Sequence, residues 1–121
     1  MIQRVDVAID CRDLPVMSRF WTVLLGYGKP TVMDDTYLAA EDPLGRGPRL
    51  VFQQVADGAR AKSTFHLDVH SDEPELLVDR VVELGGSRID DEFHQEAGSS
   101  WVRCADPEGN VLCIVTARGS S

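Results

Sequence analysis

F-H-L-D-V-H-S-D-E-P-E-L-L-V-D-R-V-V-E-L-G-G, residues 65 to 86, is the stretch whose reading decides the fold. Phe65, Leu67 and Val69 alternate with His66, Asp68 and His70. That period of two marks a half-buried strand with one face on a core. Asp72 stands where a helix N-cap belongs, and Pro74 falls in the first turn, where a missing N–H costs nothing. Leu77, Val81 and Leu84 keep helical spacing, and Gly85 supplies a left-handed stop. Two histidines and an aspartate therefore line the strand face turned away from the helix, and a site is sought there first.

The same unit is written once upstream. From Arg4 to Cys11, the apolar Val5, Val7, Ile9 and Cys11 alternate with Asp6, Ala8 and Asp10. Asp13 and Pro15 open a helix whose stripe is Met17, Trp21 and Leu24, widened by Phe20, and Gly26 ends it. Asp13 to Gly26 and Asp72 to Gly85 both span thirteen positions. Asp-x-Pro opens both helices and Leu-Gly closes both. Tyr37 stands five residues before Asp42-Pro43-Leu44-Gly45, and Trp101 five before Asp106-Pro107-Glu108-Gly109. Four matches in one order make a repeat of roughly sixty residues with element order β-α-β-β-β.

Extended segments at 29–33, 36–41 and 49–55 complete the first unit, and 87–90, 100–105 and 110–116 the second. Residues 91–99 read as a polar loop, in which His94 is placed to fold over a site as a lid. The fold class is thus α+β, with two pseudo-symmetric βαβββ modules (1–58 and 59–118) in one domain and a tail at 119–121. Each helix covers the apolar face of its own sheet. The two curved sheets are expected to enclose a cleft between their other faces, a usual place for a small ligand.

Composition narrows the function. With 121 residues, 43% hydrophobic and 26% charged, the chain has the make-up of one globular domain. A net charge of −8 argues against nucleic acid, which requires a basic stripe, and none is present. No apolar run approaches the ~18 residues of a membrane span, and the N-terminus lacks an apolar signal core, so a cytoplasmic protein is expected. Cys11, Cys104 and Cys113 are odd in number and lack C-x-x-C spacing, so they read as reduced core thiols.

The ordered set V-A-I-D-C-R-D, F-W-T-V-L-L-G-Y, F-H-L-D-V-H, V-V-E-L-G-G and W-V-R-C-A-D-P-E-G-N-V-L-C-I-V resembles the vicinal oxygen chelate superfamily, over about Val5 to Val115. That superfamily includes glyoxalase I, extradiol dioxygenases and fosfomycin- and bleomycin-resistance proteins. The nearest likeness is to small glyoxalase-like domains. The resemblance implies paired βαβββ modules around a concave cavity, homodimers, and in many members a divalent metal held by His and Glu. Carried onto this chain, the first-strand histidine falls on Asp6 and the second-module histidine on His66. The last glutamate falls on Cys113, and the remaining one on Val51, Phe52 or Gln53. The reading therefore expects no resident cofactor; were a divalent metal bound, Asp6, His66 and Cys113 would hold it.

The candidate ligand-binding residues are Asp6, Asp10, His66, Asp68, Trp101, Arg103 and Cys113. His66 is the best candidate for catalysis, because imidazole is the side chain whose ordinary pKa, near 6.5, suits a general base. Arg103, set against Asp6 and Asp10, makes an arginine–carboxylate pair or orients a polar ligand; a purely structural ion pair accounts for it equally well. Trp101 and Tyr37 are core residues or stacking platforms. Asp42 and Asp106 belong to turns. No G-x-G-x-x-G, P-loop or G-x-S-x-G is present, so no motif names a reaction. Three readings follow: a metal-free small-molecule-binding domain, a metal-dependent lyase, isomerase or dioxygenase with an atypical ligand set, and an interaction module without a small ligand.

Overall fold

The computed structural model describes residues 6–56, 66–96 and 99–117. Arg4, Val5, Phe65 and the tail at 119–121, used in the sequence reading, lie outside them. The chain divides into two compact units, Met1–Lys62 and Ser63–Ser121.

In the first unit the order is β1 (Asp6–Cys11), α1 (Leu14–Leu25), β2 (Thr31–Asp34), β3 (Tyr37–Ala40) and β4 (Arg49–Gln54). The sheet order is β1-β4-β3-β2, with β1 parallel to β4 and the other pairs antiparallel. The parallel pair is possible because α1 supplies the crossover. α1 packs on β3 and β4. Met17, Phe20 and Trp21 from the helix, with Cys11, Leu50 and Phe52 from the strands, are buried and form this unit's core. Phe20 and Trp21 meet edge to face at 5.2 Å, and neither is left at the surface for a subunit contact.

In the second unit the order is β5 (Leu67–His70), α2 (Pro74–Glu83), β6 (Ser87–Arg88), β7 (His94–Glu96), β8 (Ser99–Ala105) and β9 (Val111–Ala117). β5 runs parallel to β9, β9 is antiparallel to β8, and β6 and β7 share the other side of β8. α2 packs on β6, β8 and β9. Val78, Val81, Val102, Cys104, Leu112 and Ile114 are buried between them.

The repeat is visible in the details. Tyr27 donates its N–H to the Thr22 carbonyl at 2.8 Å, and Gly86 to that of Val81 at 2.9 Å. Gly26 (φ 72°) and Gly85 (φ 98°) make the left-handed step in each case, a conformation that penalises a Cβ. Both Asp-Pro-x-Gly turns close the same way. Gly45 donates to the Asp42 carbonyl and Gly109 to that of Asp106, each at 3.0 Å. The Asp42 and Asp106 carboxylates accept the N–H two residues on, from Leu44 and Glu108, each at 2.9 Å. They are turn residues, as read.

Two expectations are corrected. Asp13 caps α1, accepting from the Val16 N–H at 3.1 Å, but Asp72 does not cap α2. That helix begins one residue later relative to the repeat. Its N-cap is Glu73, whose own N–H is taken by the Ser71 hydroxyl at 3.0 Å. Secondly, the polar loop expected at 91–99 contains β7, which pairs His94 with Trp101 and Gln95 with Ser100. Pairing to β8 satisfies its backbone, a gain that polarity of side chains does not reveal.

Candidate functional site

The alternation of β5 sets the site. Leu67 and Val69 are half-buried on the helix side, while His66, Asp68 and His70 are exposed on the helix-free face. Register extends that face across the sheet. Asp68 lies opposite Cys113 on β9, and Cys113 opposite Arg103 on β8. His70, Val115, Trp101 and His94 form the neighbouring row. Cys104, paired with Leu112, belongs to the helix side and lines the core. The three cysteines are buried and none is in a disulfide.

At one end of the face, the Nε2 of His66 lies 3.0 Å from Oδ1 of Asp68. The Cys113 thiol donates to the Asp68 carboxylate, and burial, with that carboxylate beside it, pushes the thiol pKa up. Ligand atoms of His66, Asp68 and Cys113 all lie within 4.8 Å of one another.

At the other end stands a residue the sequence reading missed. Asp90 receives Nη2 of Arg103 at 2.8 Å on Oδ1, and the Arg103 backbone N–H at 2.9 Å on Oδ2. The Nε2 of His94 lies 3.1 Å from the same Oδ2. The Arg103 hydrogen bonds hold the Asp90 carboxyl far below the usual carboxylate range. His94 stacks on Trp101 at 4.3 Å between ring centroids, which fixes it on the sheet edge rather than on a lid. A surface hollow of about 570 Å³ runs along Ile89–His94 beside this cluster.

Arg103 is therefore paired with Asp90 within its own unit. The reason is proximity: the bend after β6 brings Asp90 onto the Arg103 backbone, where Ile89 and Asp90 also donate to the Arg103 carbonyl. Asp6 lies opposite Arg49 in its own sheet and receives Nη2 of Arg49 at 3.2 Å. Asp10 is exposed on the same face of β1, opposite Gln53. A second hollow, of about 380 Å³, is bordered in this unit by Lys29, Thr31, Met33, Glu41 and Arg49. Neither hollow is lined by His66, Asp68 or Cys113.

The duplicated topology also resolves the register left open at 51–53. The alternation of β1 and β5 aligns Ala8 with Asp68, and their β4 and β9 partners are Val51 and Cys113. Tyr37 and Trp101 then fall opposite the matching positions Gln53 and Val115, so their equivalence holds. Phe52 points into the core and is fully buried. The first unit's counterpart of Cys113 is thus Val51.

A glyoxalase-like domain model matches residues 6–115. This chain belongs to the glyoxalase-like family. The fold is that of the vicinal oxygen chelate superfamily, and solved glyoxalase-like structures share it. A glyoxalase/bleomycin resistance protein/dioxygenase family enzyme from Burkholderia phytofirmans PsJN superposes with a TM-score of 0.76 at 18% identity, covering 93% of this chain and 96% of that one. A glyoxalase-related enzyme from Fulvimarina pelagi gives 0.74 at 18% identity, covering 96% and 88%. A glyoxalase/bleomycin resistance protein from Albidiferax ferrireducens T118 gives 0.65 at 19% identity, covering 92% and 95%. No curated protein matches the sequence.

The divalent metal common in this glyoxalase-like family does not fit its usual four positions here. Val51 offers no donor atom, and the Asp6 carboxylate is committed to the Arg49 guanidinium.

Proposed function

We propose that this glyoxalase-like domain binds a small organic ligand on the helix-free face of its second sheet, without the family's four-residue metal centre. The observation that carries the reading is the composition of that face. A sheet surface that served only packing would be apolar, and one that served only solvation would not fix its charges. This one aligns Asp68, Cys113 and Arg103 in a single row and orders the next row by stacking His94 on Trp101.

Arg103 is held on one side by Asp90, so its guanidinium is oriented before a ligand arrives, which lowers the ordering cost of binding. The aromatic pair offers a flat surface for a planar group. His66 stands at the opposite end, its Nε2 held 3.0 Å from the Asp68 carboxylate.

Trp21 is buried and Trp101 half-buried, so Trp21→Phe leaves Trp101 as the fluorescence reporter. Native mass spectrometry of the purified protein, followed by a metabolite screen read by Trp101 fluorescence, identifies the ligand. His66→Ala and Arg103→Ala are each expected to weaken its binding by about tenfold or more, the loss of a charge-assisted contact. A ligand whose affinity, measured by calorimetry, is indifferent to both substitutions and to Trp101→Leu overturns the reading.

A further inference from the structure

We propose that His66, Asp68 and Cys113 form a binding site for a thiophilic divalent cation, of the zinc or cobalt(II) type, contained within the second unit. The site differs from the family arrangement because it draws on Asp68 and does not need Asp6.

The geometry rests on the sheet rather than on loops. His66 and Asp68 are two apart on one face of the strand, and Asp68 is directly paired with Cys113. Two ligand atoms on one zinc ion, with bonds near 2.0–2.3 Å, are separated by roughly 3.2–3.8 Å. The spacing here brackets that range: 3.0 Å between His66 and Asp68, and no pair beyond 4.8 Å. His66 and Asp68 are exposed and free to adjust their rotamers, while Cys113 is held in the central strand.

The donor chemistry is selective. Imidazole, carboxylate and thiolate suit zinc-like ions and disfavour magnesium, which requires oxygen ligands. Three protein ligands leave the outward position open to water or a small molecule. Charge also favours a cation. With Cys113 as thiolate, the charges of Asp68, Cys113 and Asp90 outweigh the single positive charge of Arg103 that faces Cys113.

Binding is balanced without any redox partner. The Cys113 S–H bond breaks, its proton leaves to solvent, and an Sγ–metal bond forms. His66 coordinates as the neutral imidazole through Nε2, with its proton on Nδ1, and Asp68 exchanges its hydrogen bonds to the other two for the metal.

The site shares the face assigned above to an organic ligand, and the test is run without one, so the two readings fail separately. The full chain is stripped with chelator, dialysed, and titrated with Zn²⁺ or Co²⁺ by calorimetry and absorption spectroscopy. One ion per chain is expected, with a sulfur-to-cobalt charge-transfer band. Cys113→Ser, nearly isosteric and therefore expected to fold, removes the band; His66→Ala and Asp68→Asn weaken binding by more than about tenfold. Cys104→Ser and Asp6→Asn leave both stoichiometry and band unchanged. Absence of the band in the native chain overturns the proposal, as does its survival in Cys113→Ser. So does loss of binding in Asp6→Asn equal to that in His66→Ala, which would restore the family arrangement.

Discussion

Asp90 accepts from the backbone and guanidinium of Arg103 and from the imidazole of His94. Its carboxyl is held below the usual range chiefly by the Arg103 side chain. A depressed folded-state pKa means that the anion contributes stability above the ordinary carboxylate pKa, about 3.9, and that this is lost as pH falls below it. Asp90→Asn is accordingly expected to lower the unfolding midpoint near neutral pH. The gap to the native protein should then close as the pH is taken below the carboxylate range. Denaturant unfolding of both proteins across pH checks this, and a gap that is constant with pH would refute the ionic role. Asp90 was not legible in the sequence because its partner is thirteen residues away, across a bend that only pairing to β8 creates. The candidates His66, Asp68 and Cys113 were legible individually, from strand alternation and family likeness. Their convergence was not, because it depends on β5 aligning with β9.

At the scale of elements, the two helices look alike in sequence and differ at their starts. Asp13 holds the Val16 N–H, whereas Asp72 lies outside α2, and the hydroxyl of its neighbour Ser71 accepts from the Glu73 N–H instead. Asp13→Ala is expected to cost about 1 kcal/mol of stability, and Asp72→Ala less than about 0.5 kcal/mol. Urea titrations with a common m-value distinguish the two, and equal losses would restore the symmetric cap. The stops, by contrast, are equivalent, because glycine's left-handed conformation is a property of the residue itself. Caps depend on where the first helical residue falls, and a one-residue shift between strand and helix in the second unit displaced it. The same shift explains why β1 and β5 align by face and not by distance from the aspartate.

At the scale of the molecule, no helix among the described residues is long and apolar enough to cross a membrane. β2 is an edge strand of the first sheet, and its Val32 and Met33 are exposed at 69% and 51%. An apolar edge of this kind invites a second chain. We propose that it contributes to the homodimer that family resemblance implies. Light scattering should then give about twice the monomer mass, and Val32→Lys together with Met33→Glu should shift it toward the monomer. A native protein that runs as a 13.3 kDa monomer removes this proposal.

By itself the sequence determined the α+β class, the duplication, the helix stops, both Asp-Pro-x-Gly turns and the face on which a site is sought. Each of these follows from interactions among residues a few positions apart, so periodicity and turn chemistry suffice to read them. Only the tertiary structure decided that Val51 matches Cys113, that Arg103 belongs to Asp90, that residues 94–96 form a strand, and that His66, Asp68 and Cys113 meet. These depend on the register between strands distant in sequence. Register is set by which faces the whole sheet buries, and no local pattern specifies it.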